Sequence, residues 1–376
     1  MDLQSMPVDI QEHILLQLDS PICLLRASST CKLWRRLIAG TVFLQRFRSL
    51  HRPPVVGYYH NTNHLLRPVP IFKPAPPVTT TIASRYEQFD LFLPLEWLWT
   101  GTVRDSRGSL LLLEIANMED NTRCQSLYVV DPLTQQFDKI AVVKTDTSLK
   151  LEAFLLDGAK PGEIGTSNFR VVYLSQSGTM AAIIKPGGSY RRVRTGNDQG
   201  KNMLFLGSAA GSLYWYTHGR TVFSMDKSTA EFSSSTLPYF EDFVEPTTTT
   251  KFSVTTGRDG EARIVFLAGD KLNIFARPKG RSGDWVLEKS IPRPSAVKLG
   301  VSSAQRFSLG LSMPPSADTK MGMVKLIASS GQMKILAAFN LNIEKKHLKR
   351  TEYEKAYPIR LPWPPSLHAC STGGEI

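Results

Sequence analysis

The sequence lacks the motifs by which many enzymes are identified. Its 376 residues contain no G-x-S-x-G elbow, no H-E-x-x-H pair, no P-loop and no glycine-rich dinucleotide turn that opens a helix. The seven histidines are dispersed, and the four cysteines show neither a C-x-x-C pair nor metal-ligand spacing. We therefore expect no catalytic residue, no metal and no cofactor.

Long apolar runs and a secretory signal are also missing. No stretch approaches the ~20 apolar residues that a membrane-spanning helix needs. The N-terminus has no basic region followed by an apolar core, so we expect neither secretion nor a membrane partner. The cysteines then indicate a reduced compartment, the cytoplasm or the nucleus. Cys23 and Cys31 are predicted to be small buried thiols within a helical segment.

Acidic residues are too few to balance the basic ones, and the formal net charge is +12. Such an excess raises the possibility of nucleic acid as a partner. The basic residues are scattered, however, and the densest cluster, 345–350, is interrupted and flanked by Glu344, Glu352 and Glu354. This pattern favours a solvated helix face or a long loop. We expect no nucleic-acid partner, while an acidic target surface stays compatible with the charge.

What the sequence does contain is an amphipathic helical segment at residues 6–50. Ile10, Ile14 and Leu18 recur at intervals of four, with Leu15 beside them, which predicts a first helix with one apolar face. Ser5 is its predicted N-cap. A second N-cap followed by proline, at 20–21, predicts the start of a short second helix.

Two more helices complete the predicted segment. A third is expected to begin near Ser28 or Ser29 and to carry Cys31, Trp34, Leu37 and Ile38 on one side. Gly40-Thr41 ends it, and a fourth begins at Phe43. Helices this short enclose little interior, so part of their apolar surface is expected to meet a partner chain. The alternative is an ordinary helical cap whose apolar stripe is simply core.

The motifs in this segment resemble the F-box, in the form common among plant proteins and especially the large grass subset. The resemblance rests on M-P-V-D-I-Q-E-H-I-L-L-Q-L, on the Ser-Pro pair, and on A-S-S-T-C-K-L-W-R-R-L-I followed by F-L-Q-R-F-R-S-L-H-R-P-P. F-box proteins are substrate-receptor subunits of Skp–cullin–F-box (SCF) ubiquitin ligases, and their F-box binds a Skp-type adaptor. The resemblance implies that the following residues bind the adaptor or form the module core: Pro7, Ile10, Ile14, Leu15, Leu18, Leu24, Leu25, Cys31 and Trp34.

Three positions depart from the usual F-box pattern. Met6 and Gln11 stand where the pattern has leucine, and His13 stands where it has an acidic residue. Gln11 gives up an apolar contact, so the adaptor affinity is expected to fall by about 1–3 kcal/mol if that position is fully buried.

Beyond His51 the helical periodicity ends and strand patterns begin. A first strand is predicted at 55–59, and the proline-rich stretch 60–81 is predicted to be a long surface loop. A unit of strand, glycine-containing turn, strand, polar turn and an aromatic residue on a further strand then recurs, starting near residues 109, 169, 211, 263 and 324. Its period of roughly 40 to 60 residues is typical of β-propeller blades. A pair of β-sandwiches is the alternative, and the region also resembles propeller-like F-box-associated domains.

The predicted fold class is α+β multidomain, a small helical F-box followed by an all-β, propeller-like domain. The predicted domains are 1–51 for the F-box, 52–81 for a proline-rich strand and loop connection, and 82–376 for the target-binding propeller. Individual side chains in the β region are weaker candidates. His60 and His64 are interpreted as loop residues, and 241–245 as a solvated acidic turn. The tryptophans are interpreted as blade core (Trp97, Trp99, Trp215, Trp285, Trp363).

The resemblance implies a non-catalytic subunit that acts in ubiquitin-dependent protein degradation. Its implied partners are a Skp-family adaptor, through that adaptor the cullin and RING subunits, and an unidentified target protein. Two alternatives stay open at this point. One is a propeller hydrolase, which would need convergent carboxylates or a metal at the central channel. The other is a scaffold outside any ligase that uses the F-box only to hold the adaptor.

Overall fold

The chain begins with four short helices. The structure is a computed structural model that describes residues 6–18, 21–51, 53, 55–61, 70–75, 101–119, 122–132, 134–144, 152–156, 164–175, 178–200, 202–239, 252–257, 259–268, 271–277, 283–292, 308–312, 323–330, 333–340, 345–348 and 356–360. Its helices are α1 (Val8–Leu16), α2 (Pro21–Thr30), α3 (Lys32–Ala39) and α4 (Thr41–Leu50). Proline at the first position of α2 confirms the predicted helix start, because that position needs no backbone N–H donor.

The boundary between α2 and α3 differs from the prediction. Helix α2 continues through Ser28 and Ser29 to Thr30, whose hydroxyl donates to the carbonyl oxygen of Ala27 at 2.7 Å. Cys31 is extended, and its Sγ accepts from the backbone N–H of Trp34 at 3.4 Å. The third helix therefore begins after Cys31 rather than before it. Cys31 caps the helix and does not lie on its apolar side.

After the helices, the described chain forms five four-stranded antiparallel blades and one three-stranded sheet, with a short 3-10 helix at Pro186–Gly188. Blade 1 contains β3 (Gly101–Arg107), β4 (Leu110–Glu119), β5 (Thr122–Asp131) and β6 (Gln136–Lys144); blade 2 contains β7 (Glu152–Leu156), β8 (Arg170–Leu174), β9 (Met180–Ile184) and β10 (Tyr190–Arg194). Blade 3 contains β11 (Met203–Ala209), β12 (Ser212–Thr217), β13 (Thr221–Asp226) and β14 (Phe232–Thr236). Blade 4 contains β15 (Phe252–Thr256), β16 (Ala262–Ala268), β17 (Lys271–Ala276) and β18 (Val286–Pro292); blade 5 contains β19 (Ser308–Ser312), β20 (Met323–Ser330), β21 (Met333–Asn340) and β22 (Lys345–Leu348).

A three-stranded closing sheet joins the two ends of the β region. It contains β1 (Val55–Asn61), β2 (Pro70–Pro74) and β23 (Ala356–Arg360), in the order β2-β1-β23. The strand predicted at 55–59 is thus confirmed. The loop prediction for 60–81 was wrong at β2, where the prolines stand at the two ends of an edge strand and interrupt no ladder.

Neighbouring sheets bury their apolar faces against each other. The first strands of adjacent blades are in contact, β3 with β7 and β11 with β15, and β3 also contacts β23. Separate buried clusters fill the spaces between the closing sheet and blade 1, between blades 1 and 2, between blades 2 and 3, and between blades 3 and 4. Blades 1, 2 and 3 are each apolar on both faces, which is the propeller pattern rather than a two-sheet sandwich.

The turns between the third and fourth strands of blades 1 and 3 follow an aspartate, Asp131 or Asp226, that ends the third strand. Asp226 Oδ1 accepts from the backbone N–H of Ser228 at 2.7 Å, and the N–H of Ala230 donates to the Asp226 carbonyl at 2.8 Å. Blade 1 repeats the bond from Gln135 N–H to the Asp131 carbonyl at 2.9 Å. Ala230 and Gln135 both have φ of 61°. The same backbone bond and the same left-handed residue four positions after the aspartate therefore shape the hairpin in both blades.

Each recurring sequence unit is confirmed as a blade, but each contains one strand more than the pattern showed. The unit near residue 109 corresponds to β4, β5 and β6, and the first strand, β3, was missed. The basic cluster was also misread, because 345–348 form the strand β22 instead of a helix face or a loop. Lysine is common on outer strands, where it opposes unspecific pairing with other chains.

Candidate functional site

The four helices enclose a small apolar core of their own. Seven residues from all four helices form it: Leu15, Leu16, Leu24, Ala27, Ile38, Phe43 and Phe47. Leu15 and Phe47 are fully buried, and the rings of Phe43 and Phe47 stack with centroids 5.8 Å apart. His51 Nε2 lies 2.7 Å from the Leu16 carbonyl oxygen, which connects the end of α4 to α1.

A second set of apolar residues on the same helices is exposed. Ile10 is 46% exposed and Ile14 is 40% exposed, one turn apart on α1. Val8, Leu33, Val42 and Leu50 are exposed as well. For nine- and ten-residue helices this is a large share of the apolar side chains, and burial of each would contribute about 1.5–3 kcal/mol. Ile10 and Ile14, which lie one turn apart on the same helix, form a surface that is typical of a segment completed by another chain.

Gln11 joins α1 to α3 from inside the helical unit. Its side chain is 2% exposed. Its Nε2 donates to the Met6 carbonyl oxygen at 2.8 Å, and its Oε1 accepts from the Trp34 indole N–H at 2.6 Å. Both polar ends of the buried amide are satisfied, and so is the indole. In the isolated chain, Gln11 therefore holds the Trp34 indole in position, and its side chain is not part of the exposed apolar surface.

The structure places the nine predicted adaptor-binding or core residues in three environments. Pro7, Ile10, Ile14 and Cys31 are exposed, Leu18 and Trp34 are half-buried, and Leu15 and Leu24 lie in the helical core. Leu25 belongs to α2, and its side chain lies outside the described residues. Whether each exposed one contacts an adaptor stays a prediction. The buried-thiol prediction was wrong, because Cys23 and Cys31 are both exposed free thiols.

Sequence reasoning missed two polar contacts that hold the helical unit. Glu12 on α1 and Arg46 on α4 form an ion pair with Oε1 and the guanidinium nitrogen 2.7 Å apart. The Arg35 guanidinium donates to the Ser28 carbonyl oxygen at 3.2 Å, which ties α3 to α2. The partners are 34 and 7 residues apart in the chain, so local sequence patterns do not predict either contact.

In the propeller, polar side chains connect one blade to the next. The Asp105 carboxylate on β3 accepts from the backbone N–H of Leu155 on β7 at 2.9 Å. The Arg170 guanidinium on β8 donates to the carbonyl oxygens of Lys227 and Ser228, at 3.1 Å and 2.7 Å, in a turn of blade 3. These contacts fix blade 2 against both of its neighbours.

Lys227 is a buried cation at the end of this chain of contacts. Its side chain is 3% exposed, and burial lowers the pKa of its ammonium group to about 8. The Asp105 carboxylate opposes this lowering, and the Arg107 guanidinium adds to it. Burial likewise lowers the pKa of Arg107. The surroundings of Lys227 therefore disfavour its charged form.

The buried tryptophans are blade core, as predicted for Trp215 and Trp285. The Trp215 indole N–H donates to Glu152 Oε2 at 2.8 Å, and that of Trp285 donates to Ser235 Oγ at 3.0 Å. His60 lies on strand β1 rather than in a loop. Several predictions fall outside the described residues: His64, the acidic turn at 241–245, Trp97, Trp99 and Trp363.

The described part of the chain contains neither a candidate metal centre nor a membrane-spanning helix. Within those residues, no group of three or more histidines, cysteines or carboxylates is placed to hold a metal ion. No helix there has the length and apolar character that crossing a bilayer requires.

Comparison with known proteins bears on the helical unit first. A family model described as F-box-like matches residues 3–49. These residues contain all four helices except the last residue of α4, so the chain carries an F-box-like domain at its N-terminus. The implication of adaptor binding follows from that domain and not from the propeller. Comparison with curated protein sequences gives no match.

Solved structures with a related arrangement are only remotely similar. The β-propeller domain of Cps50 (Swd1) from Myceliophteria thermophila is 12% identical, with 65% of this chain and 71% of that chain covered and a TM-score of 0.37. YCF48 bound to D1 peptide is 10% identical, with 81% and 82% covered and a TM-score of 0.36. The luciferin-regenerating enzyme is 10% identical, with 70% and 78% covered and a TM-score of 0.34. At these values the similarities support no argument about activity, and the propeller fold is assigned from the strand pairing.

Proposed function

We propose that this protein is the substrate-receptor subunit of an SCF-type ubiquitin ligase, of the plant, grass-type form that its N-terminal motifs resemble. In this proposal the helical unit binds a Skp-type adaptor, which brings the cullin and RING subunits. The propeller binds the protein to be ubiquitinated. The chain itself carries out no bond-making step, because ubiquitin transfer belongs to the other subunits. It would work in the cytoplasm or the nucleus.

The observation that carries the proposal is the exposed apolar surface on an F-box-like domain. Ile10 and Ile14 remain in water while Leu15 and Leu16, on the same helix, fill the core. A helix that was only a cap would turn its largest apolar side chains inward. The exposed isoleucines therefore support an adaptor-facing role for this side of α1.

The propeller supports the second half of the proposal by its construction. The cores described lie between blades, and Asp105 and Arg170 tie neighbouring blades together, so turns and outer strands are carried on a fixed frame. Such a frame binds protein partners without needing a catalytic site of its own. The fold alone does not name the target.

Affinity purification from cells with the proteasome inhibited tests the proposal. The full chain should retain the Skp-type adaptor and the cullin, and the double variant I10D/I14D should lose both. The variant V42D is a matched control, because Val42 is an exposed apolar residue of the same domain outside the predicted set. Proteins retained by both the full chain and I10D/I14D are target candidates. Retention of adaptor and cullin by I10D/I14D would refute the proposal.

A further inference from the structure

Strand β10 is the outer strand of blade 2 and has an open edge. The strand order of that sheet is β10-β9-β8-β7, so β10 pairs with β9 on one side only. No other strand among the described residues pairs with it. An open edge offers unpaired backbone N–H and C=O groups to any extended chain that approaches.

Two backbone bonds that flank the strand fix which of its groups point to that edge. The N–H of Lys185 donates to the Ser189 carbonyl at 2.8 Å, and the N–H of Thr195 donates to the Thr179 carbonyl at 3.1 Å. In an antiparallel pair, residues that face the partner strand alternate with residues that face away. Positions 189 and 195 face β9, and so do 191 and 193.

The intervening residues therefore direct their backbone groups away from β9. These are Tyr190, Arg192 and Arg194, which are paired across the ladder with Ile184, Ala182 and Met180. Because alternate side chains of a strand share a face, the same three residues also present their side chains together. The same three residues thus combine the unpaired backbone groups of the edge with side chains that lie on one face of the strand.

The row of Tyr190, Arg192 and Arg194 is strongly basic and lies in water. Tyr190 is 62% exposed, and Arg192 and Arg194 are exposed. The Arg192 guanidinium lies 5.9 Å from the centre of the Tyr190 ring. In the described part of the chain, Arg192 and Arg194 form no ion pair, and the residues opposite them on β9 are uncharged. Arg191 is exposed on the other face of the strand.

Two other outer strands, β14 and β18, show that this charge is not required by the position. Strand β14 exposes Ser233 and Ser234, and its last residue is covered by Trp285, whose N–H donates to the Thr236 carbonyl at 3.0 Å. On β18 the Glu288 carboxylate is neutralised by Arg263, 2.6 Å away. Charges on an edge repel strands that do not match them, and they attract a strand of opposite charge.

We propose that β10 binds an extended acidic segment of a protein partner as an added fifth strand of blade 2. Alternate carboxylates of the segment lie opposite Arg192 and Arg194, since both strands repeat every two residues, about 6.6–6.8 Å. A peptide is favoured over a nucleic acid because only a peptide backbone uses the outward N–H and C=O groups of the edge. The identification of this partner as the ligase target rests on the proposed function.

Binding of a defined peptide to the full chain tests the proposal. The probe is a fluorescent, end-capped peptide of alternating glutamate and threonine, measured by anisotropy at low salt. The double variant R192E/R194E should bind it at least about tenfold more weakly, whereas R191E, which changes the other face, should bind within about threefold of the wild type. Equal loss in both variants, or no loss in either, would overturn the proposal.

Hydrogen exchange provides the second, independent reading. With the peptide bound, the amides of Tyr190, Arg192 and Arg194 should become protected, while those of Arg191 and Val193 are already slow in the free chain. Binding without that alternation, or the same protection by an oligothymidylate of equal charge, would overturn the strand addition. If these results hold and I10D/I14D still retains the adaptor, the ligase role fails and the edge site stands. If instead I10D/I14D loses the adaptor and the peptide experiments fail, the edge site is refuted and the ligase role stands.

Discussion

The helical unit and the propeller use their apolar residues in opposite ways. In the described blades, large side chains lie between sheets, and Trp215 and Trp285 are almost fully buried. The helical unit instead leaves Ile10 and Ile14 in water and fills an interior position with the amide of Gln11. Within the described residues, the blades bury their large apolar side chains inside the chain, whereas the helical unit leaves part of its own exposed.

The difference shows where each region obtains its stability. Blades 1, 2 and 3 are each covered by two neighbouring sheets, so their free energy of folding comes from burial within the chain. The short helices bury too little apolar area to gain the same stabilisation. Polar contacts such as the hydrogen bond between Gln11 and Trp34 supply part of the stability of the helical unit. The predictions that follow test this contrast from the largest expected effect to the smallest.

Removing a blade tryptophan should have the largest effect. Trp285 is 1% exposed, and the Arg277 guanidinium stacks 4.9 Å from its ring centre. W285A should lower the free energy of unfolding by about 3–5 kcal/mol, because a large cavity remains between blades 3 and 4. Urea unfolding followed by circular dichroism measures this. Y239A is the control, since Tyr239 is 74% exposed and its loss should be nearly neutral.

The buried Lys227 should make the propeller's stability depend on pH. Its pKa is lowered from 10.5 to about 8 in the folded chain, so the unfolded chain binds more protons between these values. Stability from this group should therefore rise as the pH goes from about 8 to about 10.5, by up to about 3 kcal/mol. Unfolding of the wild type and K227M across this range isolates the effect. A slope that is unchanged in K227M would contradict the assignment.

Loss of the Gln11 side chain should have an intermediate effect on the helical unit. Q11A leaves the Trp34 indole N–H without its acceptor, which should destabilise the folded unit by about 1–3 kcal/mol. Hydrogen exchange of the α1 and α3 amides reports on the unit separately from the propeller. Q45A is the matched control on an exposed position of α4. Equal exchange in Q11A and Q45A would mean that the link contributes nothing.

The smallest effect is expected at the ion pair between α1 and α4. The side chain of Arg46 is 58% exposed and that of Glu12 is 24% exposed, so solvent screens their attraction. E12Q should change the stability of the helical unit by less than about 1 kcal/mol, and the change should shrink in high salt. The same exchange measurement at two salt concentrations checks it. A loss as large as that of Q11A would contradict this ranking.

The order of elements was predictable, because helical and blade-type periodicities are regular. The missed first strand of blade 1 has a physical reason. Strand β3 carries Asp105, Ser106 and Arg107, which look like a turn. Asp105 is nevertheless buried, because its carboxylate accepts from the backbone N–H groups of Ser106 and Leu155, and the second of these lies on another blade. A long-range hydrogen bond leaves no trace in local sequence.

The candidate site was predictable in part. Helical spacing and motif marked the apolar residues of α1, but it did not separate exposed Ile14 from buried Leu15. Gln11 was interpreted as a weakened adaptor contact, whereas its partner is Trp34, 23 residues further along the chain. Which side of a short helix is covered depends on how the other three helices pack, and periodicity does not supply that packing.

The most direct test is the dissociation constant between purified full-length chain and purified Skp-type adaptor, measured by titration calorimetry for the wild type, I14D and V42D. Placing a carboxylate at a covered apolar contact should weaken binding by at least about 100-fold in I14D. V42D should bind like the wild type. Equal affinity of I14D and wild type, with both folded, would contradict the account that this exposed side of α1 is an adaptor-binding surface.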